Sequence, residues 1–339
     1  MALASMAQVS QIPQNRKLLL EEFTALNCGN CPAGHVIAES ILAAHPDDAV
    51  LVNIHAGPLA VPSGSQPDFR NTWATQLLSD FGVNATPRGM TNRIPYNGNV
   101  AMSSANWTNA ANNVLDMAAV VNMAVSTAFD EGSRLLTVTV ELYYTANSPG
   151  GNDGIHVLLD EDHLSGYQQN YGPGGPYAVY DHRHVLRAYI TPAAGDPVTT
   201  TVATSSVTRT YTYTVPLAYD IADCRVVAFV AENATTATGE IHQVTSTPAQ
   251  DTGSGLDEES AFDLRDAYPL PASELATIAL DASPVARELS ILDASGRVVE
   301  RSTVRAGATT VGVDVRAYAP GMYTYFTEGN ARGRLIVAR

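Results

Sequence analysis

Residues 18–45 read LLLEEFTALNCGNCPAGHVIAESILAAH. Leu18, Leu19 and Leu20 lead through Glu21 and Glu22 to Phe23, a short apolar run that fits a buried strand. A loop follows, then Cys28-Gly29-Asn30-Cys31. Pro32 stands where a first helical residue would, because the N–H it lacks has no intrahelical partner there. Val36, Ile37, Ile41 and Leu42 then fall on one helical face. Strand, CxxC, helix is a redox arrangement with a mechanism. The free N–H groups and positive dipole end of a helix favour thiolate over thiol at Cys28. Cys31 is near enough in sequence to close a small disulfide ring.

A CxxC also suits zinc, which needs two further ligands, usually a second cysteine pair or a histidine pair at short spacing. There is no second CxxC, and His35, four positions after Cys31, leaves such a site one ligand short.

The stretch EEFTALNCGNC resembles the active-site pattern of the thioredoxin superfamily. Glu22 falls where that superfamily keeps a buried acid behind its cysteines, and the Gly82-Val83-Asn84-Ala85-Thr86-Pro87 segment resembles the loop whose cis-proline faces the CxxC. The resemblance implies Cys28 as attacking thiolate, Cys31 as resolving thiol, Glu22 as proton acceptor, and Thr86 with Pro87 as the peptide-docking loop. The 56 positions from Cys31 to Pro87 exceed a minimal thioredoxin and imply an insertion.

A narrower likeness rests on Glu22-Phe23-Thr24, on Cys31-Pro32-Ala33-Gly34-His35, and on Thr86-Pro87-Arg88-Gly89 followed by Asn92-Arg93. These look like the Omp28-related outer membrane proteins of Bacteroidota. That family joins a thioredoxin-like domain to a β-rich domain and is known mainly as exported and surface-associated. The likeness extends to the stretch at 180–187, YDHRHVLR, which resembles part of the family's second domain.

At 339 residues, two or three domains are expected. The net charge of −15 argues against nucleic acid or an anionic membrane surface as a partner. No apolar run is long enough for a helix to span a bilayer. Residues 1–16 begin MALASMAQ, which reads as the tail of a signal peptide followed by a disordered start, or simply as a disordered N-terminus.

From 17 to 120, strand and helix alternate, as in a layered α/β domain. A second buried strand is expected at 49–55, an amphipathic helix at 68–81 carrying Phe69, Trp73 and Leu77, a strand at 88–94, and a helix capped by Ser103. The loop at 57–66 is placed to line the site. From 121 to 248, five runs alternate without helical period, at 135–144, 155–159, 185–190, 207–215 and 225–231, as in an antiparallel β-sandwich. His182 and His184 would share one side of a strand, either as metal ligands lacking a third partner or as hydrogen-bonded surface groups. Cys224 reads as a small inert core residue, or as a thiol for a mixed disulfide if exposed.

Residues 249–260 are polar and Gly/Ser-bearing, a linker. From 261 to 339, the order Tyr268-Pro269-Leu270-Pro271, Gly296-Arg297, Gly321-Met322-Tyr323 and a closing Gly333-Arg334-Leu335-Ile336-Val337 resembles the C-terminal sorting domain of type IX secretion cargo. An Ig-like adhesive module is the alternative.

The expected protein is multidomain and exported, at the cell surface or outside the cell. An α/β thioredoxin-like domain precedes an antiparallel β-sandwich and a small Ig-like β-domain. Its partners would be the type IX secretion machinery and protein thiols or disulfides, and its chemistry needs no dissociable cofactor and no metal. The rival reading is a surface binding or structural protein whose Cys28–Cys31 bridge is permanent, as an oxidising compartment allows.

Overall fold

The computed structural model describes residues 9–232, 238–250, 267, 271–280, 283, 285–293, 297–327 and 332–338. The expected signal-peptide tail at 1–8, most of the linker, Tyr268 to Leu270 and the Ala294-Ser295-Gly296 turn lie outside them. The chain divides into two compact units, Met1–Thr252 and Gly253–Arg339.

The first unit opens with β1 (Leu18–Thr24), α1 (Cys31–Ala44), β2 (Ala49–His55), α2 (Thr72–Asp80), β3 (Arg88–Thr91) and α3 (Trp107–Leu115). Strands follow: β4 (Val121–Asp130), β5 (Leu135–Tyr144), β6 (Asp153–Glu161), β7 (Leu164–Gln168), β8 (Tyr177–His182), β9 (Val185–Tyr189), β10 (Asp196–Val198), β11 (Ser206–Thr214), β12 (Cys224–Glu232) and β13 (Ile241–Pro248). Every residue of β1 and β2 is buried, and the two pair in parallel from Leu18 opposite Ala49 to Thr24 opposite His55. Near-continuous apolar runs are what a parallel pair covered on both faces requires.

The main sheet runs β13-β12-β6-β9-β2-β1-β3, with β10 on β6. Strands from both sides of residue 120 therefore belong to one sheet, so the segments expected as separate α/β and sandwich domains share a single compact unit. The join is the parallel pairing of β2 with β9, Asn53 opposite Val185, where the Asn53 N–H donates to the His184 carbonyl at 2.6 Å. Alternation of apolar residues tells which strands are half-covered. It does not tell which edge receives them, and here the later strands extend the earlier sheet.

The sheet curls back on itself. The N–H of Ile241 in β13 donates to the carbonyl of Asn92, just beyond β3. Leu19, Phe23, Val52, Ile54, Met90, Leu158, Val227 and Phe229 fill the interior so formed. Asn92 and Arg93 both take left-handed backbone angles, φ 46° and 57°. The Asn92 amide then accepts from the Leu19 N–H at 2.7 Å and donates to the Lys17 and Ile241 carbonyls. Arg93 turns inward and makes a two-pronged pair with Glu21, at 2.7 and 2.8 Å, between the rings of Phe81 and Phe229.

The opposite face of the β1–β2 edge carries Leu18, Leu20 and Leu51, which pack under α1 and α3 with Trp107 and Val114. The other wing is covered by a second sheet, β11-β5-β4. In β5 the alternate residues Leu136, Val138, Val140, Leu142 and Tyr144 are buried against Ile155, Val157, Val226 and Ala228. That is the period-two pattern of a sheet with one wet face.

Two helix starts differ from expectation. Asn71, whose side chain accepts from the Ala74 N–H, caps α2, so Asp68 and Phe69 lie in the preceding loop. Ser103 precedes a single 3₁₀ turn, Ser104–Asn106, and its side chain caps nothing.

The second unit contains β14 (Leu275–Ala279), β15 (Arg287–Leu292), β16 (Val298–Val304), β17 (Thr310–Asp314), β18 (Gly321–Thr327) and β19 (Arg332–Val337). These form a two-stranded sheet, β14-β17, and a four-stranded sheet, β16-β15-β18-β19, around Ile278, Leu289, Ile291, Val313, Tyr325 and Leu335. The described elements are thus mostly strands in several sheets, with three α-helices, all in the first unit.

Candidate functional site

Cys28 and Cys31 are joined by a disulfide, with Cα atoms 5.4 Å apart. Cys31 opens α1 and Pro32 follows in its first turn, which commits the backbone to the helix there. The Cys31 N–H donates to the Cys28 carbonyl at 3.3 Å, folding the CxxC loop onto the helix end. Asn30, at the cap position, makes no capping side-chain bond.

Cys28 is only 2% exposed. Ala25 and Ala60 close around the two cysteines, and Ala60 comes from the loop that was expected to line the site. The remaining cover is a strap running from the end of β7 to Tyr171. The Gln169 N–H donates to the Leu26 carbonyl at 2.7 Å and the Tyr171 N–H to the Gly29 carbonyl at 2.8 Å. The fully buried Gln168 amide donates to the carbonyls of Ala25 and Cys28, at 3.2 and 3.0 Å. The Tyr171 ring lies over Gly29 so closely that a Cβ there would sit 2.4 Å from it. Nothing in the sequence pattern marks Gln168 or Tyr171, because the contact depends on a hairpin about 140 residues downstream.

Glu22 lies beneath the first turn of α1. A Cβ on Gly34 would stand 2.9 Å from Glu22 Oε1 and 3.1 Å from Pro87 Cβ, so helix, carboxyl and proline converge at that glycine. The Thr86–Pro87 peptide is cis, and Thr86 Oγ1 is buried without a hydrogen-bond partner. Glu22 is fully buried and neither of its carboxyl oxygens accepts a hydrogen bond. Burial, followed by the charge of Glu39, raises its pKa well above the carboxylate range. His35 Nε2 stands 3.7 Å from Glu22 Oε1.

The residues alternating along β1 and β2 on the α1 side change character partway. Leu18 and Leu20 give way to Glu22 and Thr24, and Leu51 gives way to Asn53 and His55. Polar groups thus gather at the carboxyl ends of two parallel strands, the general location of sites in such sheets. Of these groups, Asn53 and His55 border a cleft of about 540 Å³ between α1 and β8, with His35, Glu39, Tyr180 and His182 also among its walls. His35 Nδ1 is 2.8 Å from the Tyr180 hydroxyl and its Nε2 is 2.9 Å from Thr24 Oγ1. His182 packs against Tyr180, His55 and Phe69, with ring centroids 4.9 to 5.4 Å away. Burial holds His35 and His182 each at about 4, the charge of His182 adding to the depression at His35, and holds His55 well below its usual range. All three rings are therefore neutral at pH 7. The sequence marks His35 and His182 only as possible metal ligands or parts of family-like stretches, and Tyr180 only within such a stretch; the polar switch late in each strand is the signal of the cluster.

His182 and His184 do not share a strand face. His182 ends β8, whereas His184 lies in the turn beyond it, with φ at 53°, and faces Asp162, Glu39 and Arg225. No group of three potential metal ligands occurs among the described residues. Cys224 opens β12, 2% exposed, and burial followed by the charges of Glu161 and Asp160 pushes its thiol well up.

The site is thus a disulfide at a helix start on a largely β scaffold, followed by a separate small β-unit. The sequence profile described as outer membrane protein Omp28 matches residues 74–250, and that described as a secretion system C-terminal sorting domain matches residues 266–337. The chain belongs to the Omp28 outer membrane protein family and carries a type IX sorting domain at its C-terminal end. It is an exported, cell-surface protein whose partners include the type IX secretion machinery. Among solved structures it is similar to HBP35 of Porphyromonas gingivalis, at 16% identity and a TM-score of 0.57 over 96% of this chain and 99% of that one. It is also similar to a domain of the outer membrane lipoprotein Omp28 of the same organism, at 19% identity and a TM-score of 0.26 over 39% and 89% of the two chains. The first likeness gives the multidomain fold. No curated protein matches.

Proposed function

We propose that this exported protein carries out thiol–disulfide exchange with protein substrates. Residues 17–120 would form a thioredoxin-like domain, residues 121–248 the sandwich that shares its sheet, and residues 261–339 the sorting domain. Cys28 is the attacking thiolate, Cys31 the resolving thiol, and Glu22 the proton acceptor, while Thr86 and Pro87 dock the substrate peptide. The order β1-α1-β2 with β1 and β2 parallel, and the antiparallel β3 entered through Pro87, supports this assignment.

The observation that carries the reading is Glu22. A buried carboxyl with no hydrogen-bond partner costs on the order of 1–3 kcal/mol of stability. A permanent structural bridge has no use for such a group beneath the helix that begins at Cys31. An exchange reaction does, because Cys31 must lose its proton to attack Cys28.

One observation favours a second reading, a purely structural disulfide in a surface binding protein: Cys28 is almost fully covered. In the exchange reading, the strap at 168–171 moves aside when substrate arrives. The reduction potential separates the two. Exchange requires a value between about −270 and −120 mV, and a structural bridge one below about −300 mV. A value in the lower range would end the exchange reading.

A further inference from the structure

Glu22 has no surface of its own, so a proton it takes from Cys31 cannot pass directly to water. We propose that His35 and Tyr180 form the path by which that proton reaches the cleft between α1 and β8. The proposal rests on the exchange reading and adds to it two residues that act through Glu22.

The geometry has three links. His35 Nε2 is 3.7 Å from Glu22 Oε1, longer than a hydrogen bond. Such contacts are commonly long before substrate is bound. On the other side of the ring, Nδ1 lies 2.8 Å from the Tyr180 hydroxyl. Both His35 and Tyr180 border the 540 Å³ cleft, which is open to solvent. The relay uses one of the two tautomers of His35 that these contacts allow. In the tautomer with its proton on Nδ1, the ring donates to Tyr180 and leaves Nε2 bare, accepting from the Thr24 hydroxyl. A proton arriving from Glu22 enters at Nε2, and the one on Nδ1 leaves through Tyr180. Burial lowers the imidazole to about 4, so the ring is neutral at pH 7 and holds the passing proton only transiently. The charged or titratable groups around it are Glu22 from β1, Glu39 from α1, His55 from β2, and Tyr180 and His182 from β8.

A protein disulfide is the oxidant. Cys28 thiolate attacks one of its sulfurs, forming a mixed disulfide and expelling the first substrate thiolate. Glu22 takes the proton of Cys31, and the Cys31 thiolate attacks Cys28 Sγ. The Cys28–substrate S–S bond breaks and the Cys28–Cys31 bond forms. The second substrate thiolate leaves and takes a proton from water. The proton on Glu22 leaves through His35 and Tyr180, which restores the carboxylate. The protein is oxidised by two electrons and the substrate disulfide is reduced by two.

The reduced full-length chain is mixed with 5,5′-dithiobis(2-nitrobenzoate) in a stopped-flow cell. Attack by Cys28 releases one thionitrobenzoate and resolution by Cys31 releases a second, and the readout is the second rate relative to the first. At pH 7, Glu22→Gln and His35→Ala should each lower that ratio by about a hundredfold or more, the lower end of what a positioned proton carrier supplies. Added imidazole should restore His35→Ala, because it can enter the cleft, and should leave Glu22→Gln slow. A merely structural role for His35 would slow both phases and would not respond to imidazole. If His35→Ala does not fold, Tyr180→Phe carries the test, with a lowered ratio expected. A wild-type ratio and pH profile in the His35 and Tyr180 variants, with Glu22→Gln still slow, would overturn the relay and leave the exchange reading standing. Absence of a second release from the wild-type chain would overturn both.

Discussion

Replacing Gln168 by alanine should loosen the cover over the Cys28–Cys31 bridge. The Gln168 amide reaches three carbonyls, those of Ala25, Cys28 and Gln169, at 3.2, 3.0 and 3.0 Å. An NH₂ group has two protons, so about two full bonds operate at once. Each is worth about 0.5–1.5 kcal/mol net, so the loss is about 1–3 kcal/mol. The backbone bonds of Gln169 and Tyr171 to Leu26 and Gly29 remain, so the strap stays closed in the ground state. Its opening equilibrium should rise by roughly 5- to 150-fold, at 1.4 kcal/mol per factor of ten. The assay is reduction of the folded protein by dithiothreitol, quenched with an alkylating agent and read by mass. The buried Cys224 provides an internal reference for global unfolding. Reduction accelerated within that range, with Cys224 still protected, is the expected result. A rate within twofold of wild type in a folded variant would refute the idea that the strap controls access to the disulfide.

Other outcomes follow from the same contacts. Burial raises the folded pKa of Glu22 above its unfolded value, so the wild-type chain loses stability as pH rises from about 4.3 through the raised folded value. Glu22→Gln should therefore gain on wild type in thermal melts between pH 4 and pH 8, and a difference independent of pH would contradict the assignment. Gly34→Ala gains about 1 kcal/mol of helix propensity but meets Glu22 and Pro87 at 2.9 and 3.1 Å, and overpacking costs about 1–3 kcal/mol, so Tm should fall rather than rise. In the reduced protein, iodoacetamide should label Cys28 well before Cys224, whose thiol is pushed up by burial; equal rates would argue against an activated Cys28. Arg93→Ala removes the partner of the buried Glu21 carboxyl and should cost about 3–5 kcal/mol in urea unfolding, whereas a loss under 1 kcal/mol would mean that water already reaches the pair.

Much of the site was legible because local rules govern it. The CxxC, the proline that starts α1 and the apolar run of β1 act within a few residues, so spacing and propensity suffice. Glu22 was marked by the thioredoxin resemblance, whereas strand position alone treats it and its neighbour Glu21 alike, and the two face opposite sides. Only the three-dimensional arrangement assigns Glu21 to Arg93 and leaves Glu22 unpaired. The Thr86–Pro87 peptide and the Asn92-Arg93 pair came from family likeness, and the structure supplies their physical content: a cis bond beside Gly34, and a left-handed turn that ties β1 to β13.

By itself, then, the amino-acid order determined the type of each strong element, the cysteine pair at a helix start, the change from mixed to β-rich structure near residue 120, and the sorting signature at the end of the chain. These are short-range properties, set by side-chain period, backbone restriction and turn chemistry. Tertiary structure alone decided that β9 would add to β2, making one sheet of what reads as two domains. It also placed Gln168 and Tyr171 over the disulfide and gathered His35, His55, Tyr180 and His182 around one cleft. Each of these brings together residues far apart in the chain, through pairings of backbone N–H and C=O groups that every residue except proline carries alike. Such groups leave no mark in composition or periodicity, and which of them meet is settled only when the sheet closes and its core is filled.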